Sequence, residues 1–170
     1  MLLETVSSCS PVQLVNNEPG SRVVQQTLLH CQDMQPVLSV LRWLEENIQE
    51  VVQVKPAVHL ALVVLQSLAA QAATNMAWAG RLERFVLAFI RTEVRQKIPV
   101  LDCYLIKIYL QDLMVTAALH PAGYLLAKEV VSQLGVVSGA TRQEGMQCLA
   151  RSVDILRASK TGVVVLRALE

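Results

Sequence analysis

Ser21, Arg22 and Gln25 form the clearest chemical pattern in the sequence. Ser21 and Gln25 are four residues apart, so on a helix their hydroxyl and amide groups point to the same face. Together they can hydrogen-bond one planar polar ligand, such as the edge of a nucleic-acid base, while the flat guanidinium of Arg22 offers a stacking surface. A simpler interpretation also fits: Ser21 caps a helix after Pro19 and Gly20, and the other two side chains are solvated.

The surroundings of Ser21 recur along the chain. Each copy has a few apolar residues, a Pro or other turn residue, a small residue and then a helix with a β-branched pair, and the copies cover residues 13–26, 51–62, 118–128 and 156–170. When Gly20, Ala57, Gly123 and Gly162 are aligned, they are 37, 66 and 39 residues apart. Two spacings match one repeat unit, and the middle one indicates an insertion or a decayed unit. Tandem units of this length are typical of helical solenoids.

The later copies lose the polar pair. The equivalent positions hold Val58, His59 and Leu62, then Tyr124, Leu125 and Lys128, then Val163, Val164 and Arg167. Valine, leucine and single cations cannot distinguish bases by paired hydrogen bonds. His59 and Tyr124 can instead stack on a base or pack as half-buried rings, and Lys128 and Arg167 can hold phosphates. Nucleic acid bound here is expected to be bound with little sequence preference.

The segment from Gly20 to Gln26 resembles a repeat of the Pumilio (PUF) family of RNA-binding proteins, and the segments 120–125 and 159–162 resemble its divergent nucleolar branch. The resemblance implies a ligand, single-stranded RNA, and a code in which Ser21 with Gln25 favours adenine while Arg22 stacks. It also implies a role in ribosomal RNA processing or ribosome assembly, in the nucleus or nucleolus, with the cytoplasm as the alternative. Typical members have eight repeats and this chain has about four, so we expect a fragment or a shortened relative.

The periodicity of the apolar residues predicts an all-α fold, a helical-repeat solenoid forming a single domain over residues 1–170. Pro and Gly residues mark the breaks between helices. The predicted helices are 20–30, 34–48, 57–72, 77–96, 101–119, 122–134, 141–158 and a last one that opens at residue 161 or 162.

The composition and net charge of the chain limit the kinds of partner that it can bind. Apolar residues make up 53% of the chain and charged residues 17%, which excludes general disorder. The net charge is +1, so no strong overall field attracts nucleic acid, and an RNA ligand must be held by a local patch. A hydrophobic and nearly neutral chain also fits a scaffold that binds a protein partner through an apolar groove, or that associates with itself.

A cluster of cations lies between the second and third copies. Its members are Arg81, Arg84, Arg91, Arg95 and Lys97, with Glu83 and Glu93 among them. A solvated helix face and a track for phosphates are both open interpretations. Tyr104 and Tyr109, which lie nearby in sequence, are expected to be packing residues.

A membrane span and an enzyme are not expected. Residues 56–80 lack charge, but polar side chains recur every few residues there, including His59, Gln66 and Asn75. The histidines His30, His59 and His120 have no partners at catalytic or metal-ligand spacing, so we predict no catalytic residue, no metal and no cofactor. The widely spaced cysteines predict reduced intracellular thiols rather than disulfides, and they are Cys9, Cys31, Cys103 and Cys148.

Overall fold

The structure, a computed structural model, describes residues 18–30, 34–99 and 106–169 and is mostly helical there. In these ranges the chain forms ten α-helices, a short 3-10 helix and one β-hairpin. The elements, in chain order, are α1 Glu18–His30, α2 Met34–Glu46, α3 Ile48–Val51, α4 Lys55–Ala72, α5 Met76–Arg91, β1 Glu93–Pro99, β2 Ile106–Asp112, α6 Leu113–Leu119, α7 Tyr124–Gln133, α8 Gly139–Arg151, α9 Val153–Arg157, α10 Lys160–Leu166 and the 3-10 helix Arg167–Leu169. The prediction of a predominantly helical chain is confirmed.

Local chemistry explains where these helices begin. Pro56 lies in the first turn of α4, where a missing N–H leaves no helix hydrogen bond unmade. Asn75 caps α5, since its side chain accepts a hydrogen bond of 2.9 Å from the backbone N–H of Ala77. Ser138 caps α8 in the same way through the N–H of Thr141. Each cap satisfies a donor that the first turn would otherwise leave unpaired.

Helix α4 lies at the centre of the fold. It packs against α1, α2, α5 and α7, which explains why apolar residues occupy most of its circumference. The helices that open at the aligned small residues are neighbours in chain order: α1 packs on α4, α4 on α7, and α7 on α10. Helix α5 packs on α8, and both contact α6. Buried side chains from all these helices form one apolar core, with Phe85 and Phe89 among its largest members.

Two of the predicted helices differ from the structure, because the chain forms a β-hairpin between α5 and α6. Helix α5 ends at Arg91 instead of continuing to residue 96, and residues 106–112, which were expected to be helical, form β2. The strands are antiparallel, with Glu93 opposite Asp112 and Pro99 opposite Ile106. The backbone N–H of Leu113 donates a 2.8 Å hydrogen bond to the carbonyl of Thr92 and closes the base of the hairpin. A proline at the end of β1 and β-branched isoleucines in β2 favour extended chain over helix.

A smaller correction concerns the helix predicted over residues 141–158. The chain turns at Ser152, where φ is −121°, and this turn separates α8 from α9. The turn brings the buried Leu156 against Gly162 at the start of α10.

Candidate nucleic-acid interface

Ser21 lies inside the first turn of α1, because the helix already begins at Glu18. Its side chain is only 1% exposed, and its Oγ accepts a 3.1 Å hydrogen bond from Nε2 of Gln25. The expectation that Ser21 presents its hydroxyl to a base edge does not fit this arrangement, since its side chain is buried. The simpler expectation, an N-cap, does not fit either. Gln25 is half-buried and Arg22 is exposed, so these two remain at the surface.

The same position faces inward in the second copy. Val58, equivalent to Ser21, is fully buried in α4, whereas Tyr124 in the third copy is half-buried. The side chains that follow the Ser21-equivalent position by one residue or by four residues reach the surface more often. His59 is half-buried on α4, and Lys128 and Arg167 are exposed. The structure therefore favours these outer positions as the ones that can meet a ligand.

Tyr124, Lys128 and Arg167 lie on neighbouring elements. Tyr124 and Lys128 are one turn apart on α7, and the 3-10 helix that begins with Arg167 packs against α7. Within the described ranges, no carboxylate forms an ion pair with Lys128 or Arg167. The other predicted site residues are more distant in the helix order: His59 is on α4, and Arg22 and Gln25 are on α1.

The last third of the chain holds more cations than carboxylates. Between residues 123 and 169 there are six cations and three carboxylates, although the whole chain has a net charge of only +1. One of these carboxylates, Glu144, is already paired with Arg91 on α5. A local excess of positive charge of the kind that an RNA ligand needs is therefore present here.

The turn that leads into α7 is capped by a histidine side chain. Nδ1 of His120 accepts hydrogen bonds from the backbone N–H groups of Ala122 and Gly123, at 3.2 Å and 3.3 Å. At the start of α10, Oγ of Ser159 accepts from the N–H of Gly162 at 3.5 Å. In both cases the capping side chain stands three residues before the aligned glycine.

The two aligned glycines also share a packing role. A Cβ on Gly123 would lie 2.7 Å from the carbonyl oxygen of Val52 and 3.0 Å from that of Ala117. A Cβ on Gly162 would lie 2.8 Å from Cα of Leu156. Ala117 and Leu156 each stand six residues before their glycine, so both glycines allow the preceding short helix to approach closely.

The cations of α5 are largely engaged with their neighbours. Arg91 donates to both carboxylate oxygens of Glu144 on α8, at 2.7 Å and 2.9 Å. The guanidinium of Arg81 lies 6.0 Å from the ring centre of Trp78, and Nε of Arg84 donates to the carbonyl of Gly80 at 3.4 Å. These contacts favour a structural role over a phosphate track. The side chains of Arg95, Lys97 and Tyr109, and all of Tyr104, lie outside the described part of the chain.

A polar cluster that no sequence pattern predicted joins α5 to α8. Oγ1 of Thr141 donates a 2.6 Å hydrogen bond to the carboxylate of Glu83, and Ser138 donates to the same oxygen. These hydrogen bonds lower the pKa of Glu83. The hydrogen bonds from Arg91 likewise lower the pKa of Glu144. The partners are more than fifty residues apart in sequence, so no local pattern could reveal them.

Cys148 is a buried free thiol. Its Sγ lies 3.4 Å from a carboxylate oxygen of Asp112, which Arg151 approaches to 3.8 Å. Burial, together with the neighbouring Asp112 carboxylate, raises the pKa of the Cys148 thiol to about 12. A thiol of this kind is a packing group, as expected. Cys9, Cys31 and Cys103 lie outside the described residues.

The described ranges contain neither a metal-binding cluster nor a membrane-spanning helix. No three His, Cys, Asp or Glu side chains there come together in a way that can hold a metal ion. Among the helices in those ranges, none is both long enough and apolar enough to cross a membrane. Comparison with known proteins gives no match to a family model, a curated protein or a solved structure.

Proposed function

We propose that this chain is a Pumilio-like helical-repeat solenoid that binds single-stranded RNA, mostly without sequence preference. The observation that carries the proposal is the placement of Lys128 and Arg167. Both are exposed, both stand five residues after an aligned glycine, and the elements that bear them are packed together.

Three observations support the repeat architecture. The helices α1, α4, α7 and α10 pack in chain order, as the corresponding helices of successive repeats do. The caps His120 and Ser159 stand at equivalent positions, as do the close approaches at Gly123 and Gly162. The β-hairpin, residues 93–112, lies between the second and third copies, and as an insertion it supplies part of the extra length of the middle spacing.

The directions of α5 and α8 also support the repeat architecture. Glu83 near the middle of α5 bonds to residues at the start of α8, and Arg91 at the end of α5 bonds further along α8. Both helices therefore run in the same direction, as repeated elements of a solenoid do.

The proposed mode of binding relies on the backbone of the RNA. Lys128 and Arg167 neutralise phosphates, and Tyr124 and His59 stack on bases of any kind. In the first copy, only Arg22 and Gln25 remain to contact a base, because Ser21 is enclosed. The resemblance to the nucleolar branch makes ribosomal RNA the proposed target, in ribosome assembly in the nucleus or nucleolus.

A salt titration tests the proposal. Fluorescence anisotropy of a labelled mixed-sequence RNA is measured at several salt concentrations with the wild-type chain and with a Lys128→Ala/Arg167→Ala variant. Each lost phosphate contact should reduce the slope of log Kd against log salt by about 0.7. An Arg42→Ala/Arg84→Ala variant is the matched control, since it removes two exposed cations from α2 and α5, outside residues 123–169. Absence of binding at low salt, or an equal loss in the control, contradicts the proposal.

A protein-binding scaffold is the second candidate function. It is favoured by large apolar side chains that are exposed, namely Val23, Met76, Val136, Met146, Ile155 and Leu169. A scaffold of this kind has no salt-dependent affinity for RNA, so the same titration separates the two functions.

A further inference from the structure

We infer that two copies of this chain pair through strand β2, edge to edge and antiparallel, and so form one four-stranded sheet. The two-fold axis of the pair passes through Ile108. This pairing is independent of the proposed RNA binding, because the hairpin lies outside the segment that bears Lys128 and Arg167.

The β-hairpin has open edges. In the described part of the chain the sheet contains only two strands, so each strand has one side without a neighbouring strand. Alternate residues of an antiparallel strand direct their backbone N–H and C=O groups away from the partner strand. Each seven-residue strand therefore has an edge about 23 Å long at which a further strand can pair. A two-stranded hairpin is at best marginally stable in water, whereas a sheet of three or more strands is more stable.

The helices hold the hairpin at its base. The carbonyl of Glu93 accepts a 3.2 Å hydrogen bond from Nε2 of Gln49 on α3. At the other side of the base, a carboxylate oxygen of Asp112 lies 3.8 Å from Arg151 on α8. From this base the ladder runs for seven residue pairs and ends at Pro99. Further strands would stabilise the pairs that lie beyond the base.

The order of residue types along β2 suits pairing with itself. Ile106, Ile108 and Leu110 occupy alternate positions, so they belong to one face of the strand. When two β2 strands run antiparallel about Ile108, Ile106 of one copy stands opposite Leu110 of the other, and Ile108 stands opposite itself. On the other face, Lys107 stands opposite Tyr109. Apolar cross-strand pairs stabilise a sheet, and no like charges are opposed between residues 106 and 110.

Strand β1 does not offer an equivalent edge. Pro99 has no backbone N–H and interrupts pairing at one end of the strand. If two β1 strands paired antiparallel about Gln96, Arg95 of one copy would stand opposite Lys97 of the other, and like charges directly opposite destabilise a sheet. Pairing about either cation would set that cation opposite itself. The contact therefore forms on β2, and a two-fold contact closes at two copies.

Sedimentation velocity of the full chain tests the inference. The weight-average mass should rise with protein concentration from one copy to two and stop there. Added salt should change the dissociation constant little, because backbone and apolar contacts join the strands. A chain that keeps the mass of one copy at the highest soluble concentration overturns the inference. A mass that continues past two copies also overturns it, because a two-fold contact uses the same edge of both copies.

An Ile108→Glu substitution weakens the contact and preserves the hairpin. Within the hairpin the new glutamate stands opposite Lys97, which favours the strand pair, whereas across the two-fold axis it stands opposite its counterpart. The dissociation constant should rise about tenfold or more, because apolar burial is replaced by two like charges. Ile98→Glu is the matched control, since this position is on β1 and stands opposite Lys107. The control should associate as the wild type does, and equal effects of the two substitutions contradict pairing through β2.

A charge-reversed partner shows whether the effect belongs to the contact between copies. In an Ile108→Lys/Lys97→Glu variant, the same hairpin pair keeps opposite charges with their places exchanged. This variant and Ile108→Glu should each associate weakly alone, and both should keep the circular dichroism spectrum of the wild type. An equal mixture should associate more tightly than either, because opposite charges then meet at the axis. A mixture that associates no better than its components overturns the register about Ile108.

Discussion

Arg91 donates two parallel hydrogen bonds to the carboxylate of Glu144, and this contact joins the end of α5 to α8. A bidentate guanidinium and carboxylate pair is the strongest geometry that an exposed ion pair can take. Arg91→Ala should therefore lower the free energy of unfolding, but only by a small amount, because water and salt screen an exposed pair. Arg91→Lys should recover only part of the loss, because an ammonium group cannot bond both oxygens in this way.

A double-mutant cycle with Glu144→Gln checks this contact. Urea denaturation of the wild type, the two single variants and the double variant should give a coupling free energy that decreases as salt is added. A coupling free energy of zero at low salt would show that the pair contributes nothing.

The carboxylates of Glu83 and Glu144 should make stability depend on acid pH. Hydrogen bonds hold the pKa of each below its ordinary value in the folded state. Their contribution to the free energy of unfolding is therefore complete above the pKa that these groups have in the unfolded chain. It is lost as the pH falls through the lower pKa that they have in the folded state. In Glu83→Gln, the thermal midpoint Tm should fall less between pH about 5 and about 3 than in the wild type.

The control for this prediction is Glu50→Gln. Glu50 is exposed on α3, and no side chain in the described ranges donates a hydrogen bond to it. Its variant should keep the wild-type dependence of Tm on pH. A Glu83→Gln profile parallel to that of the wild type would contradict the role assigned to the cluster.

Alanine substitutions at Gly162 and at Gly80 should change the stability of the fold in opposite directions. Alanine at Gly162 collides with the backbone of Leu156, and overpacking of this kind costs about 1–3 kcal/mol. Gly80 lies within α5 and has open space around its Cα, so Gly80→Ala should stabilise the fold by up to about 1 kcal/mol. Chemical denaturation of the two variants measures both changes. Equal effects would show that the close approach at Gly162 does not exist.

Cys148 should be unreactive in the folded protein. Its thiol is buried and its pKa is raised to about 12, so very little thiolate forms at neutral pH. In a variant with Cys9, Cys31 and Cys103 replaced by serine, iodoacetamide should label Cys148 slowly under native conditions and rapidly in denaturant. Labelling at equal rates in both conditions would mean that the thiol is accessible in the folded state.

Most of the helices follow from local signals in the sequence. Apolar residues at helical spacing, with Pro56 and a series of glycines at the breaks, located α1, α2, α4 and α7 to within a few residues, because the signals for starting a helix are local. The recurrence of a small residue at Gly123 and Gly162 was also visible, although its packing role was not. The alternation in Ile106-Lys107-Ile108 was a strand signal, but the helical spacing around it obscured it.

The environment of each side chain, in contrast, depends on how the helices pack together. Ser21 had the residue type and spacing of a ligand-binding group, yet its side chain is buried in the folded chain and Gln25 donates a hydrogen bond to it. Glu83 had no sequence signal at all, because its partners on α8 are brought to it by the stacking of helices. A helix pattern fixes which residues share a face, whereas the neighbouring helices determine whether that face meets solvent, a ligand or the core.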